Sequence, residues 1–136
     1  SSGAERRGRE TIPFYRTLAA VGAAAPMPGE EFDWMTVTEE TPRGAEFAVR
    51  ITDDAMVPQM EDGDVVYVKR EPLEEGDTGI FCVDGEILCR QYGKDKSGNV
   101  CLTCLNRTGK ETVLRLPSSG GRTMICLGRV LLEKRP

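Results

Sequence analysis

The sequence predicts a mainly β domain built from short strands and hairpins, and three features predict it. Apolar residues alternate with polar ones in short runs, first at Phe47, Val49 and Ile51, the period of a half-buried strand. Turn pairs separate the runs at Asp62-Gly63, Asp84-Gly85, Ser97-Gly98 and Gly120-Gly121. In the first three the glycine suits a tight, hairpin-like reversal, because it adopts positive φ without steric cost. No stretch keeps a helical period, so helix is confined to a short turn near Val57 and Met60.

Taken in order, residues 1–10 are polar and strongly charged, which predicts a mobile linker over 1–11 ahead of one domain over 12–136. Ser1-Ser2-Gly3 reads as a tag or cloning remnant, and the abrupt start predicts an upstream domain outside this sequence. Residues 18–28 are rich in Ala, Gly and Pro, the composition of an exposed, bendable loop. Phe32 and Trp34 are expected to anchor the segment after it on the core. Further strands are expected at 65–68, 79–83, 87–92, 100–105, 113–116 and 124–132. The last is expected at or near a sheet edge, and residues 133–136 form a solvated end.

Composition narrows the function classes. A chain of 136 residues has room for one hydrophobic core. Its 18 basic and 22 acidic residues give a net charge of -4, against a broad phosphate-binding face. The five cysteines lie in apolar runs and no signal peptide precedes them, which predicts reduced thiols and a cytoplasmic protein. No apolar run approaches the roughly 20 residues that span a bilayer, so no membrane partner is expected. Cys101-x-x-Cys104 has no second pair and the chain has no histidine, so these read as strand cysteines rather than metal ligands. Asp53, Asp54, Asp62 and Asp64 lack the spacing of a calcium loop and read as turn caps. No metal and no cofactor are expected.

The most informative stretch is 51–69, Ile-Thr-Asp-Asp-Ala-Met-Val-Pro-Gln-Met-Glu-Asp-Gly-Asp-Val-Val-Tyr-Val-Lys. It resembles the hallmark of the LexA, phage-repressor and UmuD family and of the related signal peptidases. That hallmark is Gly-Asp-Ser-Met-x-Pro followed by Asp-Gly-Asp and an apolar strand. Here Asp53-Asp54-Ala55-Met56-Val57-Pro58 matches the first part and Asp62-Gly63-Asp64 the second. Downstream, Asp84-Gly85-Glu86 leads into Ile87-Leu88-Cys89-Arg90-Gln91-Tyr92, similar to the family's strand that carries the lysine. Residues 102–106 and Leu127-Gly128-Arg129-Val130 are similar to its later strands.

The resemblance implies a fold of the LexA and signal-peptidase type and a Ser/Lys self-cleaving site, with Ala55 at the serine position and Arg90 at the lysine position. In such a dyad a buried lysine sheds its proton and takes that of the serine hydroxyl during attack. Ala55 has no oxygen to attack with, and an arginine stays protonated, so the site is expected to be inactive. Two departures favour natural loss over a single engineered change. The N–H groups of Ala55 and Met56 are the oxyanion-hole candidates. Ile12-Pro13-Phe14-Tyr15 leads into Ala19-Ala20-Val21-Gly22, so Val21-Gly22 matches the family's self-cleaved bond, with a β-branched residue where a small one is usual.

The resemblance also implies a homodimer through the last strand, DNA binding through an absent N-terminal helix-turn-helix domain, and a RecA filament as a further candidate partner in an SOS response. The leading expectation is therefore the regulatory and dimerisation domain of a bacterial or prophage repressor. The alternatives are a competent self-cleaving peptidase seen as a nucleophile mutant, or a UmuD-like accessory protein. Signal peptidase proper is disfavoured, since the chain offers no membrane anchor.

Overall fold

Strand-forming runs between glycine turns assemble into one mixed sheet in the computed structural model, which describes residues 10–108 and 112–132. The strands are β1 (Thr11–Tyr15), β2 (Phe32–Thr36), β3 (Phe47–Arg50), β4 (Val65–Lys69) and β5 (Thr78–Val83). They continue as β6 (Glu86–Lys94), β7 (Val100–Thr103), β8 (Val113–Leu116) and β9 (Met124–Val130). Their order across the sheet is β2-β1-β3-β4-β9-β5-β6-β7-β8. Of the strand pairs among the described residues only β1 and β3 run parallel, and they are joined through helix α1 (Leu18–Val21) and β2, since a parallel pair needs a crossover.

The mainly β expectation is met, and the runs from Phe47 onward fall on β3 to β9. Two strands were not foreseen. β1 and β2 pair from Thr11 opposite Thr36 to Tyr15 opposite Phe32, so β1 starts one residue before the expected boundary at 12. Residues 1–9 of the expected linker and the end at 133–136 lie outside the described residues.

Three details differ from the expectation, each for a local reason. Residues 18–28 were expected to be an exposed loop, but α1 makes one helical turn, capped where the Ala20 N–H donates to Thr17 Oγ1 at 3.1 Å. Leu18 and Ala20 are buried, so apolar contact with the sheet stabilises a turn too short to form alone. Trp34 is 63% exposed. It leans edge-on against the buried Phe32, with 5.4 Å between ring centroids, and only Phe32 anchors the segment.

The last strand is not an edge strand, because β9 lies between β4 and β5. Its ladder with β4 covers only Val130 and Arg129, while that with β5 runs back to Met124. Met124, Ile125 and Cys126 therefore have a described strand on one side only.

Of the expected hairpin turns, Asp84-Gly85 is a two-residue reversal between β5 and β6, with φ of 48° at Asp84 and 86° at Gly85. Ser97-Gly98 lies in a longer β6–β7 connection. Asp62-Gly63 closes the 51–64 segment, where Gly63 N–H donates to Ile51 O at 2.7 Å.

That segment lies against the main core. Phe47, Val49, Ile51, Val68, Ile80 and Cys89 form the centre of the largest apolar cluster, joined by Leu18 from α1 and by Met56 and Met60 from the segment. A second cluster around Phe81, Leu88 and Leu102 serves the β5–β8 half, and a third around Ile12, Val37 and Ala48 serves the β1–β4 half. Among the described residues no helix is long and apolar enough to cross a membrane.

Candidate functional site

The segment that carries Ala55 is held from both ends and from below. Ile51 N–H donates to Asp64 O at 2.7 Å, which pins its two ends together where β3 passes to β4. Met56 and Met60 are 0% and 3% exposed and plug into the core, with Met60 N–H donating to Met56 O at 3.2 Å. This is the short turn expected near Val57 and Met60. Thr78 Oγ, at the start of β5, donates to Gln59 Oε1 at 2.7 Å, and Cys89 on β6 packs its sulfur 3.6 Å from that of Met60.

Within this frame Ala55 is half-buried and both of its backbone polar groups are engaged. Its N–H donates to Asp53 Oδ1 at 3.0 Å, and its carbonyl accepts the Asn106 N–H at 3.0 Å. Asn106 Nδ2 adds a bond to Asp54 O at 3.1 Å, so one residue just beyond β7 clasps two successive carbonyls of the loop. Asp64 Oδ2 takes the Glu61 N–H at 2.8 Å. Asp53 and Asp64 thus serve as turn caps, as their sequence context suggested.

Arg90 lies on β6 opposite Gly79. Its guanidinium donates to its neighbour's carbonyl, Cys89 O, at 2.8 Å, and no hydrogen bond joins it to Ala55 among the described residues. Cys89 is fully buried, and burial pushes its thiol up to about 12. The positive charge of Arg90 opposes that rise and the negative charge of Asp53 adds to it, so both charges are felt at the one buried sulfur.

The Val21-Gly22 bond, singled out in the sequence as the expected cleavage position, ends α1. Gly22 is its C-cap, and its N–H donates to Ala19 O at 3.2 Å. A Cβ at Gly22 would stand 2.6 Å from Ile87 Cδ1, which places this bond directly on β6. An open groove runs here, lined by Leu18 and Gly22 from α1, by Cys82 and Ile87 from the β5–β6 hairpin, and by Asp53. The fold thus brings the Val21-Gly22 segment to the strand of Arg90 and to the loop that enters Ala55, while Ala55 and Arg90 do not themselves line the groove.

Sequence reasoning missed Asn106 as part of this site, and read Asp53 as a turn cap without foreseeing that it accepts the Ala55 N–H. Asn106 lay inside a stretch already matched to the family, but a backbone clasp leaves no pattern of its own in sequence. Cys101 and Cys104 are half-buried free thiols, with Cys101 Sγ 3.8 Å from Asn99 O. Among the described residues no group of three or more metal-ligating side chains comes together.

The family model described as Peptidase S24-like covers residues 13–131, nearly the whole described chain. No curated protein matches the chain.

Proposed function

The chain belongs to the Peptidase S24-like family, and on that premise we propose that it is the regulatory and dimerisation domain of a bacterial or prophage transcriptional repressor, one that does not cut itself. The observation that carries this reading is Ala55. A methyl group stands where acyl transfer needs an oxygen, on a loop that Ile51, Met56 and Met60 seat in the core. Arg90 compounds the loss, since a guanidinium carries donors only and has no lone pair with which to take a proton. What remains useful is the scaffold. DNA contact is assigned to a helix-turn-helix domain preceding this one, a RecA filament remains a candidate partner, and the reduced thiols suit the cytoplasm.

Dimerisation has a candidate surface. Ile125 is 53% exposed on β9, in the part of the strand with β5 alone beside it among the described residues. A second copy related by a two-fold axis would bury Ile125 and satisfy that open edge. Pairing two DNA-binding domains would then raise operator affinity through effective concentration.

Mass spectrometry and sedimentation equilibrium test the reading together. The parent chain and an Ala55→Ser variant are expected to stay intact from neutral to alkaline pH, and the parent to sediment as a dimer that Ile125→Glu converts to monomer. Scission at Val21-Gly22 in Ala55→Ser alone would instead favour a competent peptidase lacking only its nucleophile. A monomeric parent at high concentration would remove the dimerisation role.

A further inference from the structure

We propose that Asp53 is a third, independent block on acyl-transfer chemistry at this site, acting by occupying the backbone N–H that an oxyanion would need. This deepens the reading of the chain as a peptidase scaffold without its chemistry, and rests on it.

An oxyanion hole works by presenting unengaged N–H groups to the oxygen on which charge develops. The Ala55 N–H is not unengaged, since Asp53 Oδ1 accepts it at 3.0 Å. A carboxylate is the strongest acceptor a side chain offers, and its bonds to backbone N–H are charge-assisted. An incoming oxyanion would have to displace one negative group with another.

The surroundings reinforce the block. Asn106 holds the Ala55 and Asp54 carbonyls from outside, so the loop is not at liberty to turn its N–H elsewhere. Asp53 also lines the groove beside Gly22, which adds a like charge near the place where an oxyanion would form. Restoring a hydroxyl at position 55 and an amine at position 90 would therefore supply nucleophile and base without the stabilisation of the intermediate.

The test uses an activated ester, which needs no movement of α1. With p-nitrophenyl acetate the acetyl group passes to the introduced hydroxyl oxygen, the hydroxyl proton passes to the introduced amine, and p-nitrophenolate leaves with the bonding electrons. Peptide mapping by mass reads acetylation at position 55 in full-length Ala55→Ser/Arg90→Lys, alone and combined with Asp53→Ala or Asp53→Asn.

Asp53→Ala is expected to speed acetylation by about 100-fold or more, the usual effect of one oxyanion donor. Asp53→Asn keeps an acceptor oxygen on the same N–H but removes the charge, and is expected to fall between the pair and Asp53→Ala. Equal rates with and without Asp53→Ala would overturn the proposal, and so would Asp53→Asn accelerating as much as Asp53→Ala. In the parent background, hydrogen exchange at the Ala55 amide should speed up in Asp53→Ala, and unchanged exchange would also overturn it. Failure of the underlying reading looks different: it is scission in Ala55→Ser alone.

Discussion

Replacing Met56 with alanine removes the side chain that seats the Ala55 loop in the core. Met56 is 0% exposed and belongs to the central cluster with Val49, Ile51 and Cys89. Burying such a side chain stabilises by about 1.5–3 kcal/mol, and the cavity left behind brings the cost of a Met→Ala change to about 2–5 kcal/mol. A midrange value of about 3 kcal/mol, with a urea m-value of about 1–3 kcal/mol/M, lowers the unfolding midpoint by about 1–3 M.

The contrast is Asn106→Ala, which deletes the exposed bond to Asp54 O and the two that Asn106 Oδ1 accepts from Thr108, and leaves the backbone bond to Ala55 O in place. It should cost about 1–2 kcal/mol. Since both residues hold the same loop, the double variant should lose less than the sum. Urea unfolding followed by Trp34 fluorescence and by circular dichroism measures all three. A Met56→Ala cost below about 1 kcal/mol, or one smaller than that of Asn106→Ala, would refute the idea that apolar seating dominates polar clasping here.

Two further predictions follow from the titrating groups. Burial pushes the Cys89 thiol up to about 12, so iodoacetamide in native buffer should leave Cys89 unmodified while the exposed Cys126 reacts, and urea should abolish the difference. Equal native rates would mean that β6 opens locally. Toward acid, Asp84 is held below its ordinary 3.8 by the Thr123 N–H and by Arg122, and Glu71 below its ordinary 4.5 chiefly by its bond with Arg129. Folded values below the unfolded ones mean that this stabilisation is complete above the ordinary values and is lost as pH falls through the folded ones. The melting temperature should therefore decline below about pH 4, and less steeply in Asp84→Asn, whose side chain tolerates the positive φ at that turn. An unchanged slope would show that the Asp84 bonds contribute nothing to the acid transition.

The strands from Phe47 onward were legible because turn pairs bound short apolar runs, whether alternate residues are buried, as in β4, or nearly all of them are, as in β3 and β5. β1 and β2 were not, since Pro13 and Arg16 interrupt the first run and Trp34 and Met35 place bulky apolar groups on both faces of the second. α1 was illegible for another reason: one turn is too short to show a period, and its stability comes from Leu18 and Ala20 meeting the sheet. The position of β9 was misjudged because an apolar strand near the chain's end carries no mark of its neighbours. Gly128 held the clue. A Cβ there would stand 2.5 Å from Val68 Cγ1 and 2.8 Å from Lys69 O, a close approach by β4 that an edge strand would not need on that side.

The resemblance alone assigned Ala55 and Arg90 to the dyad positions, and their packing is compatible with the proposal that this chemistry is absent from an intact fold. Ala55 immediately precedes the fully buried Met56, and Arg90 immediately follows the fully buried Cys89. The side chains that hold the loop and β6 in the core are thus the neighbours of the dyad positions, while Ala55 and Arg90 are themselves only half-buried. Substitution at 55 or 90 then costs little of the burial that stabilises the domain. The hydrogen bonds point the same way: Asp53 and Asn106 satisfy the polar groups of Ala55 whatever side chain it carries. A scaffold in which chemistry and packing are assigned to alternate residues can lose the first and keep the second, leaving its groove and its exposed β9 surface available for binding.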